Sequence, residues 1–260
     1  MRKYFGWITC ALLIFSVTII SWKPVGTNHT SSTNINLSAK ALLENYIANI
    51  YDSAHLQESG LGFAVFKKAI TGFINLKMED KLPQGSSILT VVDFSKSSCS
   101  KRMWIIDVIN KALVLNTWVA HGQGSGEDIA NRFSDNMDSH QSSLGFYVTD
   151  DVYNGKHGRS LRLDGMDAGF NANARARAIV VHAADYVSSN AISELGRLGR
   201  SFDCPAVSPE VVDQVINTIK DKTLMFINAD NSEYASKYLD EDLAANFISQ
   251  NSGSSYMANL

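Results

Sequence analysis

The sequence predicts a mainly β domain, an antiparallel sandwich or barrel, with an N-terminal helical hairpin and a few short helices. Three observations carry this expectation. Residues 88–94, 103–109 and 112–120 are rich in β-branched and aromatic side chains and are divided by short polar turns, as in a β-meander. Similar short runs recur at 145–149, 159–164, 178–183 and 223–228, joined by irregular, glycine-containing connections rather than the helical crossovers of a doubly wound sheet. Ahead of them all, the apolar residues of 38–84 repeat at helical spacing.

Taken in order, residues 1–22 read as an export signal or membrane anchor. Arg2 and Lys3 precede a nearly unbroken apolar run, and positive-inside logic places the following chain outside the cytoplasm. Residues 23–37 are polar and read as a linker. Ser38 is a candidate cap for a first helix, with Leu42, Leu43, Tyr46, Ile47 and Ile50 on one face. A second helix shows Phe63, Val65, Phe66, Ile70 and Phe73, and Gly60 and Gly62 break the two apart. His55 and Glu58 fall on a solvated helix face. The β domain is expected over 85–230. The tail, 231–260, has room for one helix around 236–249 before a polar end expected to be disordered.

The chain has 260 residues, is 45% hydrophobic and carries a formal net charge of −3. That supports a real core and gives no electrostatic case for nucleic acid. No G-x-G-x-x-G or P-loop follows a strand, so nucleotide binding has no support. Three cysteines, Cys10, Cys99 and Cys204, cannot build a disulfide framework. His121, His140, His157 and His182 lack the paired spacing of a metal site, so no metal is expected. No cofactor is expected either.

Cys204 stands apart. It lies in polar sequence between Arg197 and Arg200 on one side and a proline-bounded turn on the other. Ser208 is a candidate N-cap and Pro209 suits a first helical position, with Val211, Val212, Val215, Ile216 and Ile219 behind them. A thiol just ahead of a helix start and near arginines is expected to favour thiolate. His182 closes an apolar strand and can face a loop cysteine. Such a pair serves acyl transfer: the imidazole takes the thiol proton, and the thiolate attacks a carbonyl to give a thioester. Arg197 and Arg200 would support the thiolate or bind a substrate carboxylate. Cys99, among serines and lysines, reads as a turn thiol without function.

From about 88 to 228 the chain resembles the murein L,D-transpeptidase catalytic domains, the second branch of the YkuD-like group. The resemblance rests on His121-Gly122, on 142–147 (Ser-Ser-Leu-Gly-Phe-Tyr), and on Tyr153 with Gly155-Lys-His-Gly158. It continues through 177–182 (Arg-Ala-Ile-Val-Val-His), Tyr186-Val187 and 196–201 (Gly-Arg-Leu-Gly-Arg-Ser) to Cys204-Pro-Ala. It implies a YkuD-type β fold acting outside the cytoplasm, in the periplasm or an equivalent space, on peptidoglycan stem peptides. The membrane would be met only through the N-terminal segment.

By the same resemblance Cys204 is the nucleophile and His182 its base. Ser201, Asp203, Arg200, Arg197, His121, Gly122 and Tyr186 fall on oxyanion or substrate positions, and a carbapenem adduct is expected on Cys204. The alternatives are an L,D-carboxypeptidase or endopeptidase that hydrolyses the same thioester, and a binding module impaired by Asp203. The family has glycine at position 203 and commonly after the histidine, where this chain has Asp203 and Ala183. Glycine would permit an unusual φ, and the aspartate's charge is expected to raise the thiol's pKa.

Overall fold

The computed structural model describes residues 38–251; the expected leader, linker and disordered end lie wholly or mostly outside them. Two helices come first, α1 (Ala39–Ser53) and α2 (Phe63–Met78). Ser38 caps α1, its hydroxyl accepting from the Ala41 N–H at 3.2 Å. Three strands follow, β1 (Ile88–Asp93), β2 (Met103–Asp107) and β3 (Ala112–Thr117). Then come β4 (Gly145–Gly155), β5 (Gly158–Gly165), β6 (Val180–Ala183) and α3 (Ser189–Leu195). The chain continues with β7 (Ala206–Val207), α4 (Val212–Ile219), β8 (Leu224–Asn228) and α5 (Glu241–Asn251).

All eight strands form one sheet in the order β3-β2-β1-β8-β4-β5-β6-β7. Pairing is antiparallel except at β1–β8 and β6–β7. The sheet nearly closes on itself. Beyond β3 the chain runs on to Ala120, which bridges Ala206 in β7, so the last strand meets the first. The Ala120 N–H donates to the Ala206 carbonyl at 2.8 Å. The predicted barrel-like β domain is therefore what forms, with closure limiting the exposed edge.

Side chains alternate between two apolar layers. Val92, Met103, Ile105, Tyr147, Leu163, Val181 and Met225 point into the barrel, where Val212, Val215, Ile216 and Ile219 of α4 join them. Leu89, Val91, Trp104, Ile106, Phe146 and Phe226 point outward under α1, α2 and α5. Strands covered on both faces read as continuous apolar runs, which explains why the β1 and β8 sequences lack a polar alternation.

Two contacts lock the helical layer down. Asp167 Oδ2 accepts from the Phe146 N–H at 2.7 Å and the Tyr234 hydroxyl at 2.9 Å, and its Oδ1 accepts from Ser236 Oγ at 2.5 Å. Gly72 of α2 presses on the Phe146 ring: a Cβ built there would lie 2.1 Å from it. Phe146 also stacks on Phe226, with ring centroids 4.5 Å apart, and so has little room to retreat. Gly72→Ala is thus expected to destabilise the domain by about 1–3 kcal/mol, overpacking outweighing alanine's better helix propensity. A lower urea midpoint at unchanged slope would show it; an equal or higher midpoint would contradict the packing argument.

The helix expected at Ser208–Pro209 starts later, at Val212. Ser208 Oγ instead donates to Glu210 Oε2 at 2.7 Å, and Val211 stands at the N-cap without a side-chain bond. Between Cys204 and α4 the chain makes β7, so the thiol does not sit at a helix N-terminus.

Candidate active site

Cys204 lies just before β7, which pairs in parallel with β6. His182 is opposite Ala206, and this register sets Val180 opposite Cys204. The Val180 N–H donates to Cys204 Sγ at 3.4 Å. Val181 points into the barrel core, and its neighbours Val180 and His182 line a cleft on the other side. The cleft, of about 410 Å³, also takes in Tyr153, His157, Tyr186, Ser201, Asp203 and Cys204.

The loop carrying the cysteine is held on three sides. Ser201 Oγ donates to the Cys204 carbonyl at 2.6 Å and closes the turn. The Ser201 N–H reaches the His121 carbonyl at 3.1 Å, and the Gln123 N–H reaches the Ser201 carbonyl at 2.8 Å. Ser142 Oγ links the Gly122 N–H, 2.9 Å away, to the Asp203 carbonyl at 3.2 Å. Gly122 is needed for this approach: a Cβ there would sit 2.9 Å from Asp203 Cα and 2.7 Å from the His140 carbonyl. Among the described residues, no protein acceptor meets the Asp203 and Cys204 N–H groups.

His182 donates from Nδ1 to the Ala183 carbonyl at 2.8 Å, which leaves Nε2 unprotonated in the neutral ring. The ring stacks on His157, from the turn between β4 and β5, with centroids 4.5 Å apart. Burial, reinforced by His157, holds the His182 pKa below its ordinary value. The ring and the thiol share the cleft without a direct bond: among the described residues Cys204 Sγ meets Val180, Ala178 and Asp203.

Charge near the sulfur comes from Asp203 and not from the arginines flanking it in sequence. Burial, then the Asp203 carboxylate, push the Cys204 thiol up to about 12, against the Val180 N–H and the Arg177 charge. The resting group is a thiol, in the direction expected of the Asp203 charge and opposite to that expected of the arginines. The expected cations are committed elsewhere: Arg197 Nη2 and Arg200 Nη1 bind Glu127 at 3.0 and 2.8 Å. Arg200 borders the cleft, whereas Arg197 does not line it. The cation paired with Asp203 is Arg177, matched in sequence but not singled out for a role there. Its Nη2 lies 3.4 Å from Asp203 Oδ2 and its side chain is 1% exposed.

The other sequence candidates separate. Tyr186 lines the cleft, with its Cβ packed where Gly199 leaves room. His121 turns away from it: Arg102 Nη2 donates to His121 Nδ1 at 2.7 Å, and His121 Nε2 faces the Gly126 carbonyl at 3.3 Å. Asp203 has no positive φ, so the glycine geometry considered for that position is not what the loop uses. Cys99 donates its thiol to the Gly196 carbonyl at 3.2 Å, and both Cys99 and Cys204 are free. Among the described residues no cluster of metal-ligating side chains occurs.

A nearly closed β domain with a histidine on one strand and a cysteine just ahead of its parallel neighbour has the architecture of a YkuD-type catalytic domain. The chain belongs to the L,D-transpeptidase catalytic domain family, whose model matches residues 57–228. Among solved structures it is similar to an L,D-transpeptidase from Mycobacterium smegmatis, at 11% identity over 56% of this chain and 60% of that one, with a TM-score of 0.35. It is also similar to one from Mycobacterium tuberculosis H37Rv, at 15% identity over 55% and 58% of the two chains, with a TM-score of 0.34. A third is the helical cell shape determining protein Pgp2 from Campylobacter jejuni, at 11% identity over 68% and 63%, with a TM-score of 0.36. The chain thus spans between 58% and 63% of the length of these structures. No curated protein matches the sequence.

Proposed function

We propose that this chain is an extracytoplasmic cysteine acyltransferase that acts on peptidoglycan stem peptides through a thioester on Cys204. The observation that carries the reading is the β6–β7 register, which puts Cys204 and the Nε2-free imidazole of His182 on one cleft. His182 Nε2 takes the thiol proton as sulfur attacks the carbonyl carbon of an L,D peptide bond. The C–N bond then breaks, and the proton on His182 passes to the leaving amine. The amine of a second stem attacks the thioester next, restoring the thiol and leaving a crosslink. The N–H groups of Asp203 and Cys204, which meet no protein acceptor among the described residues, would receive the oxyanion, each such donor being worth about 2.7–4 kcal/mol. Water in place of the second amine would give the carboxypeptidase outcome.

A second reading has one observation in its favour. The thiol's contact with the Asp203 carboxylate fits a domain that binds stem peptides without acylating. Intact-protein mass after incubation with a carbapenem separates the two. A single adduct is expected, mapped to Cys204 and lost in Cys204→Ala. No adduct on the folded protein would leave the binding module. If tetrapeptide-bearing muropeptides yield only tripeptide monomers, the hydrolase replaces the transferase.

A further inference from the structure

Cys204 Sγ is surrounded unequally. Asp203 Oδ1 lies 3.5 Å from it and the Ala178 carbonyl 3.8 Å, while one donor, the Val180 N–H, lies at 3.4 Å. Ala178 has a φ of 55°, a left-handed conformation uncommon for a non-glycine residue. Two oxygens beside sulfur suit an S–H and repel a thiolate. The second carboxylate oxygen, Asp203 Oδ2, faces Arg177 Nη2 at 3.4 Å. Arg177 cannot follow if the carboxylate swings away. Its Nη1 donates to Ser143 Oγ and the Ser134 carbonyl, both at 2.6 Å, and its Nη2 to the Gln141 carbonyl at 2.6 Å.

Among the described residues no other charged or titratable group hydrogen-bonds the sulfur, and Tyr186 is near enough to feel its charge. His182 is engaged with Ala183 and stacked on His157. Lys156, Tyr153 and Tyr186 border the cleft, Arg200 is held by Glu127, and Asp135 lies behind Arg177 at 3.8 Å.

We propose that Arg177 and Asp203 are a positioning pair: the fixed guanidinium orients the carboxylate so that Oδ1 holds Cys204 as a thiol, and sulfur becomes nucleophilic only when that oxygen leaves it. The pair adds to the reading of Cys204 as nucleophile a control that a glycine at position 203 would not provide. Burial and the Asp203 charge, which together raise the thiol's pKa, act in the same direction.

The test is the pH dependence of Cys204 alkylation by iodoacetamide, followed by peptide mass so that Cys99 is scored separately. Circular dichroism checks that each variant is folded. Asp203→Asn and Asp203→Gly are both expected to lower the midpoint by about one pH unit or more, which is about tenfold faster alkylation on the rising limb. Made in an Arg177→Lys background, Asp203→Asn should shift the midpoint less, because the carboxylate it replaces is no longer held. An unchanged midpoint in folded Asp203→Asn overturns the proposal. A shift in Asp203→Gly alone does so too, since backbone room and not charge would then govern the thiol. A shifted midpoint without any carbapenem adduct would keep the pair and remove the acyltransferase.

Discussion

Replacing His182 with alanine is expected to slow carbapenem acylation of Cys204 by about 100- to 10,000-fold, the usual range for a lost general base. The large end of that range is favoured by the thiol itself. With the Cys204 pKa pushed up to about 12, almost none of the sulfur is thiolate at neutral pH, so the proton must be removed during attack. His182 is the imidazole on the cleft whose Nδ1–H is fixed on a carbonyl, leaving Nε2 to accept. Its side chain makes no other hydrogen bond among the described residues and stacks only on His157, so the fold should survive the change. His182→Gln, which keeps bulk and polarity without a base, should be nearly as slow. The wild-type rate should fall as acid protonates His182, with a midpoint below the ordinary histidine value because burial depresses it. Rates for His182→Ala within threefold of wild type would remove the histidine from the mechanism.

Much of this arrangement was legible because it is written in short-range pattern. Helical period marked Ile47, Ile50, Phe66 and Ile70, all of which are buried under the sheet. The strand runs around Val91, Ile105 and Phe226 stood out because both of their faces are covered. What stayed hidden depends on contacts distant in sequence. Strand β7 is two residues long and exists only because Ala206 and Val207 find β6. Helix α3 has seven residues and one buried side chain, Ala191, too few for a period. Arg177 sits in an Arg-Ala-Arg-Ala run without local apolar pattern, yet the fold buries it behind the cysteine loop. Arg197 and Arg200 mislead for the converse reason: they are close to Cys204 in sequence, but Glu127, brought in from another loop, takes their charge. Local sequence could not assign the thiol its ionisation because burial, the largest cause, is set by the fold, and Val180 and Arg177 act on it alongside Asp203.

The second large effect concerns acid stability and follows from His121, a residue the sequence placed at the site and the fold places behind it. Its ring is 1% exposed, and Arg102, also buried, fills the Nδ1 side with a donor. Arg102 cannot turn away, since its Nε and Nη1 donate to the Val119 and Lys96 carbonyls at 3.1 and 2.7 Å. A second proton on His121 would point at that guanidinium. Burial, then the Arg102 charge, therefore push its pKa down to about 4 from an ordinary 6.5. Between those two values the unfolded chain takes up a proton that the folded protein does not. Stability is then complete above about pH 6.5, falls as the pH drops, and loses nothing more from this residue once below about 4. At about 1.4 kcal/mol per pH unit, the loss across that window is about 3 kcal/mol. His182, depressed in the same direction, adds to the slope in both proteins compared, so the difference isolates His121. His121→Gln retains an acceptor for Arg102 and a donor for Gly126 but cannot titrate. Urea unfolding at pH 7, 6, 5 and 4 should show a shallower decline in that variant, whatever its stability at neutral pH. Equal slopes would mean that His121 accepts its proton in the folded state, and that the Arg102 contact yields to let it.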